Sequence, residues 1–167
     1  GAAPATSDQN DPRLDPLFEA LAEGVGRAEA QRLETSIWLI WNEHADPAVG
    51  ILMRLGNHQL AAGQLEAALE VFDQVVAREP DFAEGWNKRA TTLFLQGRLA
   101  DSLSDVARTL ELEPRHFGAL SGAGQIHWLQ GDLEAAIEAY EAALAIHSHL
   151  PGTRRWLERL RRERPRI

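Results

Sequence analysis

The chain is 167 residues long, 44% apolar and 25% charged, a balance that supports one packed core and is too apolar for a disordered chain. Its formal charge of −8 is uneven. Residues 151–167 hold seven Arg against Glu158 and Glu163, a local +5 that leaves −13 on residues 1–150, and an acidic body excludes general affinity for nucleic acid, whose phosphates need a basic face.

With no Cys, disulfides, thiolate metal sites and cysteine nucleophiles are excluded. The longest apolar run, around Ile37 to Trp41, falls far short of the roughly 18–20 residues that cross a bilayer. In chain order, residues 1–12 are rich in Ala, Pro, Ser, Asp and Asn without apolar periodicity, and a mobile leader that packs on nothing is expected there. The start on Gly1, Ala2, Ala3 and Pro4 without Met suits a trimmed chain or one matured by signal-peptide removal. Leu14 to Glu23 and Arg27 to Glu43 read as two helices, broken at Gly24 and Gly26 and closed by Asp46 and Pro47.

Beyond Pro47 the pattern becomes periodic. Gly63, Gly97 and Gly131 lie 34 residues apart, as do Gly56, Ala90 and Gly124; Ala68, Ser102 and Ala136; and Phe72, Val106 and Tyr140. Two antiparallel helices joined by a tight turn account for each column. Glycine ends the first helix in the left-handed conformation, and the small residues let paired backbones approach where they cross. Pro80 and Pro114 stop the second helix; the third unit has Ser148 there, with Pro151 three residues later. Pro151 opens a last helical segment, Thr153 to about Arg164, whose Trp156, Leu157 and Leu160 form an apolar stripe against an Arg-rich face.

These columns resemble the tetratricopeptide repeat, a 34-residue helix-turn-helix, over about 60% of the chain: residues 49–82, 83–116 and 117–150 in register. The third unit carries Leu120, Ala123, Gly124, Ala136, Tyr140 and Ala143, and the second carries Trp86 and Pro114. Gln59 and His127 depart from a position that is usually aromatic or apolar. The resemblance implies an all-α right-handed solenoid of helix hairpins. Residues 13–48 are then expected as a degenerate fourth hairpin, since counting back 34 from Phe72 and Val75 lands on Trp38 and Trp41. Residues 151–167 become the terminal cap that such an array needs. Bacterial relatives with a short polar leader are often exported, so the resemblance points to the periplasm, with the cytoplasm as the alternative.

Little in the sequence carries catalytic chemistry. The Glu residues fall mainly on helix faces at solvent-exposed spacing, so no acid–base pair is expected, and Gly122-Ala123-Gly124 sits inside a repeat helix with no preceding strand. His147 and His149 could approach one metal ion, but two ligands fall short of the three or four zinc takes. The expectation is a surface turn with two titrating imidazoles and no cofactor, with His127 in the core and His44 and His58 facing solvent.

In a stacked array the first helix of each repeat lines the concave side, which makes positions 2, 5, 6, 9, 12 and 13 of each repeat the candidate surface. From the first repeat these are Met53, Arg54, Asn57 and Leu60; from the second Glu84, Asn87, Lys88, Thr91 and Phe94. The third contributes Ser121, Gln125 and Trp128 beside the small Gly118 and Gly122. Amide and cationic groups would bond an extended peptide, and Phe94, Leu60 and Trp128 would offer apolar pockets. Some relatives grip a terminal carboxylate with a Lys/Asn/Asn/Lys/Arg clamp; here only Asn57 is in place, with Met53, Lys88, Gly118 and Gly122 at the other positions. The implied function is a non-catalytic module for a protein or peptide partner. The alternative is a metal- or cofactor-binding protein using these histidines and aromatics.

Overall fold

The computed structural model describes residues 8–164. Among them are nine helices and no strand: α1 Leu14–Ala22, α2 Arg27–Asn42, α3 Pro47–Ala61, α4 Leu65–Arg78, α5 Ala83–Leu95, α6 Leu99–Leu112, α7 Phe117–Leu129, α8 Leu133–Ile146 and α9 Pro151–Glu163. Helices α3–α4, α5–α6 and α7–α8 pair as hairpins, α4 packs on α5, α6 packs on α7, and α9 closes on α8. This is the all-α solenoid that the periodicity implies.

The hairpin turns are alike because one backbone motif makes all three. Gly63 (φ +74°), Gly97 (φ +77°) and Gly131 (φ +82°) are left-handed, the conformation a β-carbon disfavours. Each glycine N–H bonds back to Leu60, Phe94 or Trp128, and the next N–H to Gln59, Leu93 or His127, at 2.9–3.1 Å. These two bonds satisfy carbonyls that the helix end would otherwise orphan. Within the hairpins, a β-carbon on Gly124 would lie 2.6 Å from Tyr140 Cε1, and one on Gly56 the same distance from Phe72 Cε1. The large ring of the second helix lies against bare backbone of the first.

Helices α4 and α6 end on Glu79 and Glu113 at φ −132° and −138°, the extended geometry that a following proline imposes. His147 takes the same conformation at φ −134° after α8 with Ser148 following it. At the far end Leu157 and Leu160 of α9 bury against Ala136, Ile137 and Tyr140, so α9 supplies the apolar cover that a next repeat would give. It begins at Pro151, two residues before the expected Thr153, because proline fits the first helical position.

Two expectations for the N-terminal region need correction. Residues 1–7 of the expected leader lie outside the described residues, but within 8–12 the chain packs. Gln9 is buried, donating from Nε2 to the Asp81 carbonyl (2.6 Å) and accepting from the Ala83 N–H (3.1 Å), and so bridges the α4–α5 turn. Asp11 is also buried, bonded to the Arg13 guanidinium, which holds its carboxyl below the usual range. The second correction concerns α1–α2, which does not stack on α3 as a preceding repeat. Leu14, Phe18, Leu21, Leu33, Ile37 and Trp41 share one core with Phe117, with Ile146 and Leu150 packed against it. Ile51 and Leu55 of α3, which a stacked hairpin would cover, are 59% and 45% exposed.

Candidate interaction surface on the concave face

Helices α3, α5 and α7 line the inner side of the array, and α2 meets the third turn of α3, the second turn of α5 and the first turn of α7. The Asn57 side-chain amide on α3 donates to Asn42 Oδ1 at the end of α2 (3.3 Å). Trp38 meets α5 and α7: Lys88 Nζ sits 5.7 Å from its ring centroid, and a β-carbon on Gly118 would lie 2.7 Å from its Cη2. Glu34, one turn earlier, bonds His147 Nε2 at 2.8 Å, and His149 Nε2 donates to the Val25 carbonyl at 2.8 Å. The chain's own helix therefore occupies part of the concave face, from α3 to the start of α9.

An aromatic cluster fixes that position. Trp41 stacks on His116 at 4.1 Å and 9° between planes, and lies 5.1 Å from Phe117. His116 Nδ1 accepts the Ala119 N–H at 2.9 Å, capping α7. Its proton is thereby on Nε2, which donates to Glu84 at 2.8 Å. Glu84 is buried and also receives the Asn87 amide at 2.9 Å, with Lys88 Nζ at 3.9 Å. Burial pushes its pKa up, but His116, Lys88 and Asn87 together outweigh that and leave it below the ordinary glutamate value.

The candidate residues therefore divide. Met53, Glu84 and Asn87 are buried and offer no surface to a partner: Met53 joins the α3–α4 core, and the other two form the His116 network. Leu60 packs against that same α3–α4 core. Asn57, Lys88 and Gly118 are engaged by α2, so the one residue in place for a carboxylate clamp is already bonded within the chain. Ser121 bonds Thr153 of α9 at 2.9 Å. Trp128 packs on Trp156 at 4.7 Å, with the Arg159 guanidinium over both rings, so it serves the cap. Arg54, Thr91 and Gln125 are exposed, and Phe94 is half-buried.

On α5 and α7 the last two turns remain open. Phe94, Thr91, Gln125 and Gly122 rim a cleft of about 130 Å³ between the two helices. Leu95 and Leu129 stand 53% and 48% exposed at the helix ends. Both occupy the thirteenth position of their repeats, so the repeat frame already placed them on this stripe. Leu39 of α2, 62% exposed, carried no such signal, and it lines a different cavity, between the end of α2 and Arg54 and Asn57 of α3.

The histidines are not where their spacing suggested. His147 is fully buried, bonded at Nε2 to Glu34 and at Nδ1 to the His149 N–H. His44 is largely covered, its ring 4.9 Å from Phe82 and its Nδ1 accepting the Asp46 N–H. His127 is half-buried and His58 exposed. These contacts use ring nitrogens that a metal would need, and among the described residues no group of three or more His, Asp or Glu could hold one.

Comparison with known proteins agrees with this architecture. A family model described as tetratricopeptide repeat matches residues 53–109 and 100–151. A TPR repeat-containing protein of Rhizobium etli is 36% identical over 135 residues, 81% of this chain and 66% of that protein. The Hsp70-Hsp90 organizing protein of Triticum aestivum is 33% identical over 91 residues, 54% of this chain and 16% of its own length. The chain thus spans less than two thirds of either relative. Among solved structures, the first TPR of Spaghetti (RPAP3) bound to an HSP90 peptide superposes with a TM-score of 0.67 at 20% identity, covering 69% of this chain and 91% of that one. The Yersinia enterocolitica type III secretion chaperone SycD, in complex with a peptide of the translocator YopD, gives 0.66 at 13% identity, covering 71% and 96%. At these identities the structural likeness establishes the fold.

Proposed function

We propose, from the premise that the chain belongs to the tetratricopeptide repeat family, that it is a non-catalytic interaction module holding a segment of a partner protein over the last turns of α5 and α7 on its concave face. The observation that carries this reading is the pair of exposed leucines, Leu95 and Leu129, at the ends of α5 and α7, the two helices between which the Phe94 cleft opens. Apolar side chains kept in water on a concave surface are the anchors a partner desolvates. Thr91 and Gln125 between them supply hydroxyl and amide groups for its backbone. The peptide complexes of the RPAP3 and SycD proteins support an occupant of this kind.

Peptides selected from a random display library against the intact protein test the assignment. They should crosslink to a photoreactive residue at Gln125 and lose at least tenfold in affinity in the Leu95→Ser/Leu129→Ser variant, with helicity unchanged. Selected peptides that bind this variant as well as the parent, or that crosslink instead to a probe at Ser104 in the groove between the second helices, overturn it.

A further inference from the structure

The largest cavity described, about 570 Å³, lies away from the leucine stripe, between the start of α2 and the start of α9. The turn Ser148–His149–Leu150 between α8 and α9 lies along it. Its walls carry Arg27, Arg154 and Arg155 over a floor of Leu150 and Pro151.

Three guanidinium groups around one cleft are unusual here, because the chain neutralises most of its arginines locally. Arg89 pairs with Asp105 and Asp73, Arg115 with Glu113 and Asp15, and Arg159 and Arg161 of α9 and Arg164 just after it each face a glutamate. Arg27 and Arg155 have no carboxylate within ion-pair distance among the described residues, and Arg154 bonds only the Ser148 carbonyl, at 2.8 Å. The one carboxylate in the wall, Glu34, is already bonded to buried His147. The arginines therefore face the cleft with unspent donors, and planar guanidinium forks match carboxylates in two-point geometry.

The two walls are also fixed before any ligand arrives. The His147–Glu34 and His149–Val25 bonds, each 2.8 Å, tie the start of α2 to the turn that leads into α9. Binding there would not have to order the site first. The remaining acidic surface of the chain repels an acidic ligand everywhere else and leaves this end as its point of approach.

We infer that the cleft between α2 and α9 is a binding site for an acidic segment of a protein partner, whose side-chain carboxylates engage Arg27, Arg154 and Arg155. The inference takes the partner to be a polypeptide, and so rests on the proposed interaction function, but it does not use the leucine stripe.

The test uses a fluorescein-labelled hexaglutamate peptide with a C-terminal amide, so that only side-chain carboxylates and the label are anionic, and fluorescence anisotropy at two salt concentrations. Binding to the intact chain should weaken with salt. It should fall at least tenfold in Arg27→Gln/Arg155→Gln, a pair with no internal carboxylate partner to lose. It should stay within twofold in Arg54→Gln/Arg162→Gln, which removes the same charge elsewhere, and in Leu95→Ser/Leu129→Ser, which separates this site from the stripe. No binding to the intact chain overturns the inference, as does equal loss in the two arginine pairs. Competition by inorganic phosphate at the same concentration as free glutamate peptide would reassign the cleft to free anions. Phosphatidylglycerol vesicles retained by the parent and lost by Arg27→Gln/Arg155→Gln, with no peptide binding, would reassign it to a membrane surface.

Discussion

Truncating Trp41 measures how firmly α2 is seated in the concave face. Its ring is buried and contacts Phe18, Trp38, His116 and Phe117 at centroid distances of 5.7, 5.3, 4.1 and 5.1 Å. Removing such a side chain to alanine costs about 3–5 kcal/mol. Part of that is returned, because the buried Trp41 indole N–H has no partner among the described residues and an unmade bond of this kind costs about 1–3 kcal/mol. At mid-range values the net loss for Trp41→Ala is therefore about 2 kcal/mol. If α1–α2 opens as a unit, amide exchange over residues 14–42 accelerates roughly 30-fold, given tenfold per 1.4 kcal/mol. Hydrogen–deuterium exchange followed by mass spectrometry reads this segment by segment, and α4 and α6 should change much less. Trp41→Phe keeps a ring on His116 and deletes the unpaired donor, so it should stay within about 1.5 kcal/mol of the parent. Unchanged protection of residues 14–42 in Trp41→Ala, or a loss spread evenly over the chain, would refute the reasoning that α2 is a separately docked helix.

Two further perturbations probe the array and its buried charge. Gly124→Ala places a methyl group 2.6 Å from Tyr140 Cε1, so the α7–α8 hairpin must part or the ring must leave its rotamer; urea denaturation should show a loss of about 1–3 kcal/mol, and an unchanged midpoint would mean the helices are looser than drawn. Glu84 has a native pKa below its ordinary 4.5, so the unfolded chain binds the proton more readily. The stabilisation is complete above 4.5 and is lost as pH falls through the lower native value. Glu84→Gln should flatten the acid limb of a melting-temperature profile, and a variant that keeps the parent's slope would assign that limb to other carboxylates.

The hairpin array was legible because its causes are local. A glycine three residues past the C2 position can close a helix wherever it occurs, and a 34-residue spacing repeats the same packing, so Gly63, Gly97 and Gly131 locate turns without reference to the rest of the chain. The same frame put Thr91, Phe94 and Gln125 on the inner face. It could not tell that Met53, Glu84 and Asn87 would be buried there, since burial depends on what lies over a residue. Nor could it read His147, whose spacing from His149 suggests a surface pair but whose ring nitrogens are used by Glu34 and by the His149 backbone.

The amino-acid sequence by itself determined that residues 14–42 form two amphipathic helices with apolar faces to bury, because periodicity and turn residues are properties of the segment alone. Only the tertiary structure decided which surface those faces cover. Trp38 and Trp41 have the spacing of a stacked repeat, and helical periodicity is the same whether a stripe meets α3 or α7. The choice fell to α7 because His116 and Phe117 offer Trp41 a stacked and tilted aromatic seat, and bare Gly118 leaves room for Trp38. That placement covers part of the concave face, leaves the last turns of α5 and α7 open, and brings the start of α2 against α9.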